Sequence, residues 1–203
     1  MPKSLPSGPR STPRLVLRPF RRRDAETLVE AVRASLPDLA RWLPWVHSRY
    51  GRGDALRFVR DSAAAWAEGR AFDFTIRPHD DGDHHVGNVS VWHTSRREQA
   101  GEVGYWIRSD RTGHGIATEA TARILQVAFE ELRMHRVTLR IAVGNRASER
   151  IAEKLGFIQE GVLRKEVLVN GEWLDHSLWG LLDEEFRFNR SRYATEGWLG
   201  TRR

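Results

Sequence analysis

The chain contains no cysteine. That excludes disulfides, thiolate metal sites and a cysteine nucleophile. It also lacks any run of 18 apolar residues, so no transmembrane helix is expected. The opening MPKSLPSGPRSTPR has no apolar core of the kind a signal peptide needs, so the expected location is cytoplasmic. No acid precedes Asp24, whereas Lys3 and six arginines do. No internal repeat is present. His79, His84 and His85 share a turn with Asp80, Asp81 and Asp83. Solvation accounts for that cluster better than a metal, and no metal is expected.

A length of 203 residues fits one domain burying roughly 70% of its unfolded surface. Eight tryptophans and 40% apolar content are enough for an ordinary core. The formal net charge is +6, with basic residues concentrated at both ends. Such ends suit a polyanion such as ribosomal RNA, or are simply solvated. No RNA-binding motif accompanies them, so nucleic-acid contact has only charge behind it. Residues 1–13 read as a disordered basic lead-in and 186–203 as an appended basic tail.

Between those ends, local patterns give an ordered set of elements. Leu15–Arg18 reads as a strand, and Asp24 can cap a helix reaching Ser35. The stretch Trp42–Tyr50 is irregular around Pro44, and a helix runs from Asp54 to Ala67 before Gly69. Strands follow at Phe72–Arg77, Val86–His93 and Gly101–Ile107. Ile116–Leu132 places Ile116, Ala120, Ile124, Val127, Ala128 and Leu132 at helical spacing. Arg136–Val143 is a strand and Ala147–Leu155 a helix ended by Gly156. Val162–Val169 and Trp173–Leu182 form a hairpin about Asn170-Gly171. The order β-α-α-β-β-β-α-β-α-β-β defines an α+β domain with a mixed, mainly antiparallel sheet flanked by helices.

The most informative segment joins a strand to the long helix: Arg111-Thr112-Gly113-His114-Gly115-Ile116-Ala117. Two glycines one residue apart let main-chain N–H groups converge without Cβ obstruction. At a helix N-terminus those groups and the helix dipole suit a diphosphate, and Arg111 adds a positive charge. The segment is neither a P-loop nor a three-glycine dinucleotide fingerprint, and by spacing alone a plain tight turn fits it equally.

The runs EVGYWI (102–107), RTGHGIATEA (111–120), VGNRASERIAEKLGF (143–157) and Glu160-Gly161 together resemble the GNAT superfamily of acyl-CoA N-acyltransferases. Arg41-Trp42-Leu43-Pro44-Trp45 and Asn170-Gly171-Glu172-Trp173-Leu174-Asp175-His176 resemble its RimJ/RimL-type branch, which acetylates ribosomal-protein N-termini. The likeness spans about residues 12–185, so 14–185 is read as the N-acetyltransferase domain. It implies that loop 111–117 holds the pyrophosphate of acetyl-CoA. It implies that main-chain groups of Ile107 and Arg108, on a splayed strand, hold pantetheine, and that Asn145 bonds the pantetheine arm. The same Asn145 reads locally as a helix cap. Ser148 stands where that branch places the proton donor to the leaving thiolate. Many other GNAT enzymes put a tyrosine further along this helix, at the place of Ala152 here. Glu166 matches the branch's acidic base, and Glu102 is its rival on the preceding strand. Trp42, Trp45, Tyr105 and His176 are the expected acceptor contacts. Asp175 and His176 read equally as structural.

The resemblance implies a transferase that moves an acetyl group from acetyl-CoA to a primary amine in a ternary complex. A protein N-terminal α-amine is the first choice of acceptor. Small amines (amino acid, polyamine, aminoglycoside) and larger acyl groups stay open, as do monomer and homodimer. A CoA-binding sensor or an RNA-associated protein without turnover is the alternative of a different class.

Overall fold

The computed structural model describes residues 6, 8–80 and 84–199. Strands β1 (Arg10–Ser11) and β2 (Leu15–Pro19) lead into helices α1 (Ala25–Ala34), α2 (Leu36–Leu39) and α3 (Arg52–Ala67). Then come β3 (Ala71–Pro78), β4 (Gly87–Ser95), β5 (Ala100–Ile107) and α4 (Ile116–Gln126). The chain closes with β6 (Arg136–Ala142), α5 (Arg146–Lys154), β7 (Ile158–Val169), β8 (Glu172–Leu182) and α6 (Asp183–Thr195). The strands form one sheet in the order β1-β2-β3-β4-β5-β6-β8-β7. Every pairing is antiparallel except β5 with β6. The α+β architecture and the order of the central elements are those expected from sequence.

Alternation along β4 and β5 divides the core in two. Val89, Val91 and Val103 face Ile116, Ala120 and Ile124 of α4. Trp106, on the opposite face, packs with Phe20 and with Leu28, Val32 and Val59 of α1 and α3. Residues directly opposite one another on β4 and β5 share a face: Asn88 with Trp106, Ser90 with Gly104, Trp92 with Glu102. That second face becomes the floor of the cleft described below.

Several expectations are corrected here. Arg10–Ser11 is a paired strand rather than part of a disordered lead-in, and Arg10 bonds Glu131 through Nε at 3.0 Å. Residues 1–5 and 7 lie outside the described residues. The expected tail also begins as structure: α6 buries Phe186 and Tyr193, and Leu199 joins the same core. Phe186 and Tyr193 are two helical turns apart on one face, and Phe186 stacks on Phe129 at 5.0 Å. Charged neighbours hid those anchors in the sequence. Asp24 does not cap α1; its carboxylate is buried against Arg18 and Arg77. The long helix is α-helical only to Gln126 and ends in a π-helical turn, Val127–Glu131. His85 is buried and not a solvated turn residue, while His79 bonds Thr12 O at 3.1 Å. Residues 81–83 of that turn lie outside the described residues.

Candidate active site

The β5–β6 pairing stops almost as soon as it starts. Ala100, Gly101 and Glu102 pair with Arg136, Val137 and Thr138; beyond them the two strands diverge. A parallel pair opened in this way leaves a wedge inside the sheet. Arg108 N–H donates to Val86 O at 2.9 Å, which fixes the alternation of the β4–β5 ladder. The main-chain groups of Tyr105 and Ile107 therefore turn away from β4, toward the wedge. Those of Arg108 do not, so the expected pantetheine contact from Arg108 N–H is corrected. Its guanidinium is also engaged, with Glu30 at 2.8 Å and Asp110 at 2.9 Å.

At one end of the wedge, the 111–117 segment turns into α4. Gly113 has φ +80° and Gly115 φ +74°, values that disfavour any residue with a Cβ. Nothing stands within 4 Å of where a Gly113 Cβ would project. The loop is exposed from Thr112 to Gly115, Ile116 is buried and Ala117 is half-buried. Thr112 Oγ1 donates to Ser109 O, and His114 Nδ1 lies 2.8 Å from Thr112 O. Arg14, which the sequence did not single out, bonds His114 O at 2.9 Å and pairs with the buried Glu119 at 2.6 Å. It ties β2 to the loop and sets a second cation beside the glycines.

Across the wedge, Asn145 caps α5: its Oδ1 accepts from Ser148 N at 3.2 Å. Ser148 Oγ shares a 2.8 Å hydrogen bond with Tyr105 Oη. Burial pushes the Tyr105 phenol up to about 12, with the Ser148 bond opposing, so it stays protonated at neutral pH. Tyr105 therefore stands with Ser148, and both line the cleft described below. Ala152 is fully buried; the phenol near this helix comes from β5 instead.

At the other end, the two rival carboxylates meet on one arginine. Arg140 of β6 holds Glu102 through Nε at 3.0 Å and Nη2 at 2.9 Å, and Glu166 through Nη1 at 2.8 Å. Glu102 is pushed upward by burial, against the pull of Arg140 and with the push of Glu166. Glu166 Oε2 lies 3.8 Å from His176 Nδ1. Glu166 reaches inward because β7 bulges. Register slips between Leu163 and Val167, Lys165 adopts φ +50°, and Asp175 Oδ1 accepts Lys165 N at 2.8 Å. Asp175 thus holds the bulge, a structural part.

Glu102, Tyr105, Arg140, Asn145, Ser148, Glu166 and His176 line a cleft of about 710 Å³. Trp42, Trp45, Tyr50 and Trp106 wall its α1–α3 side. Trp45 lies 6.2 Å from Trp106, ring to ring. Trp45 remains partly exposed and Trp106 is buried. Arg140, Arg14, Trp92 and Asn88 were not picked out from sequence. Arg140 sits between the buried Leu139 and Ile141, a hint that it faces elsewhere, but its partners depend on a register no local pattern encodes.

A sheet split at one parallel junction, a glycine loop at a helix N-terminus and a carboxylate-bearing cleft define an acyl-transferring architecture. The Acetyltransferase (GNAT) domain model matches residues 14–158, and the chain belongs to this family. It is 30% identical over 180 residues to the Bacillus subtilis protein named "Putative ribosomal N-acetyltransferase YdaF", covering 85% of this chain and 93% of that one. It is 36% identical over 104 residues to "Probable N-acetyltransferase YjcK" of the same organism, covering 51% of this chain and 58% of that one. Among solved structures, Mycobacterium smegmatis RimJ in complex with CoA-disulfide superposes with TM-score 0.80 at 28% identity. That match covers 91% of this chain and 93% of the other. The protein is an acetyltransferase of the GNAT family. Among the described residues, no helix is long and apolar enough to cross a membrane, and no group of three or more His, Asp or Glu is placed to hold a metal.

Proposed function

We propose that this enzyme moves an acetyl group from acetyl-CoA to the N-terminal α-amine of a protein of the ribosomal class. The observation that carries the reading is the wedge: β5 runs along it from the Glu102–Arg140–Glu166 cluster and leads into the glycine loop that opens α4. The name of YdaF and the RimJ likeness support the acceptor class. The co-substrate's diphosphate lies on loop 111–117, with Arg111 and Arg14 nearby, and its pantetheine runs past Tyr105, Ile107 and Asn145.

The acceptor arrives as an ammonium. An α-ammonium near pKa ~8 needs only modest help to lose its first proton. The carboxylate pair takes it, and the neutral nitrogen bonds to the acyl carbon. The carbon–sulfur bond breaks, the sulfur gains a proton from the Ser148–Tyr105 pair, and the new amide nitrogen releases its surplus proton to solvent. Tyr105, still protonated, reloads Ser148 across their 2.8 Å bond, and solvent returns to the pair a proton equivalent to the one the nitrogen released. Trp42 and Trp45 wall the acceptor channel and limit water near the thioester.

Gly113→Val tests the loop. An added Cβ meets no atom within 4 Å, so the expected effects are backbone strain at φ +80° and obstruction of the diphosphate. Calorimetric titration with CoA should show affinity at least about tenfold weaker, with Gly113→Ala between the two. Unchanged affinity in a folded Gly113→Val protein would sink the loop assignment.

A further inference from the structure

The floor of the acceptor cleft carries one amide that the chemistry above leaves unused. Asn88 is only 6% exposed, yet it lines the cleft on the face shared by Ser90, Trp92, Glu102 and Trp106. Its Oδ1 lies 2.5 Å from Nε2 of His85. His85 is itself buried, with ring centroids 5.7 Å from Phe20 and 5.9 Å from Trp106. Burial drives its pKa down to about 4, so the ring is neutral at physiological pH. His85 Nδ1 is buried without a partner, so a proton there would be an unsatisfied donor; the neutral ring carries it on Nε2 and donates to Asn88 Oδ1, which turns the Asn88 NH₂ toward the cleft. Among the described residues that NH₂ has no protein partner.

We infer that Asn88 is a specificity-determining residue, its NH₂ donating to a carbonyl oxygen of the acceptor, and that His85 is the positioning residue that aims it. This rests on the acetyltransferase reading and narrows its substrate class. A peptide presents carbonyls close to its α-amine. A protonated polyamine presents only donors, which would face the Asn88 NH₂ with matching polarity. Spacing agrees. Asn88 and Glu102 sit four ladder positions apart on one face, since Asn88 opposes Trp106. At about 3.3 Å per residue that is roughly 13 Å between backbones. Side chains on one face stand roughly parallel, so a hydrogen bond of about 3 Å at each end leaves about 7 Å, the span from an amine to a carbonyl one or two residues into an extended peptide.

The experiment compares acetyl transfer to three acceptors: a short peptide, the same peptide with an (E)-alkene replacing its first or second amide, and spermidine. For the native enzyme, one alkene peptide and spermidine should each show kcat/KM about tenfold to a hundredfold below the parent peptide, the effect of an unpaired polar group. Asn88→Asp keeps an acceptor for His85 but removes the donor. It should raise the parent peptide's KM by a similar factor, leave the KM of acetyl-CoA unchanged and erase the gap between parent and alkene peptides. Asn88→Ser is the second variant should the aspartate disturb folding, with the same expected loss of discrimination. His85→Phe should raise peptide KM more than it lowers kcat, because the amide is freed to rotate but remains. Equal native rates for parent, alkene and polyamine acceptors would overturn the inference alone. So would discrimination that survives Asn88→Asp. Failure of the native enzyme to acetylate any amine would overturn the acetyltransferase reading, and this inference with it.

Discussion

Asp24→Ala is expected to destabilise the fold by about 3–5 kcal/mol, the scale for breaking a buried ion pair by removing one partner. Asp24 is 1% exposed. Its Oδ2 accepts from Arg18 Nη1 at 2.7 Å and Arg21 N at 2.6 Å, and its Oδ1 from Arg18 Nη2 at 2.8 Å and Arg77 Nη2 at 3.1 Å. Removing it takes away the carboxylate that two buried guanidiniums share, beneath the sheet face that carries the acceptor cleft. Asp24→Asn keeps the shape and loses the charge, so it should fall between. The same cluster fixes an acid sensitivity. Burial opposes ionisation of Asp24, but the Arg18 bond, the Arg21 amide and the two positive charges outweigh it, and the carboxyl is held below its ordinary 3.8. A group depressed on folding stabilises the native state above its unfolded pKa and loses that contribution as pH falls through the lower folded value. Urea melts of the native protein should therefore lose stability as pH falls below about 4. Asp24→Asn should flatten that dependence. Parallel pH profiles for both proteins would contradict this account.

The second large effect belongs to the carboxylates. Glu102→Gln/Glu166→Gln should lower kcat by about 10²–10⁴, the range for a lost general base, with acetyl-CoA binding retained. Because both side chains share Arg140, the single variants are not independent, and their losses should sum to something other than the double's. Arg140→Leu supplies a signed test. The guanidinium favours the ionised form of Glu102, against burial and the charge of Glu166, so its loss raises the Glu102 carboxyl. In the proposed base role the carboxylates work deprotonated, so the acid limb of kcat should move to higher pH. A limb that stays put or moves lower would exclude this pair as the proton acceptor.

Much of this fold was legible because its signals are local. The apolar spacing from Ile116 to Leu132 marks a long helix, and Asn170-Gly171 marks a hairpin through positive φ at both residues. The glycine loop announced itself by backbone freedom. What stayed hidden depends on register. Glu102 and Glu166 are far apart in sequence and read as competitors; β6 brings Arg140 between them only because β5 and β6 pair at Glu102 and Thr138. Glu166 turns inward through a bulge whose cause, an Asp175 bond to a main-chain amide, has no sequence mark. No local pattern shows α5 approaching Tyr105 closely enough for Ser148 to bond its hydroxyl. His85 reads as solvated because its neighbours in sequence are charged, while its neighbours in space are Phe20 and Trp106.

The backbone ladder between β5 and β6 is three residue pairs long. A sheet elsewhere closes its ladder with its own backbone; here the unpaired amides of Tyr105 and Ile107 have rungs missing on one side. An extended guest with amide groups of its own would supply those rungs, making recognition and completion of the sheet one event. Binding should then knit the two halves of the molecule together.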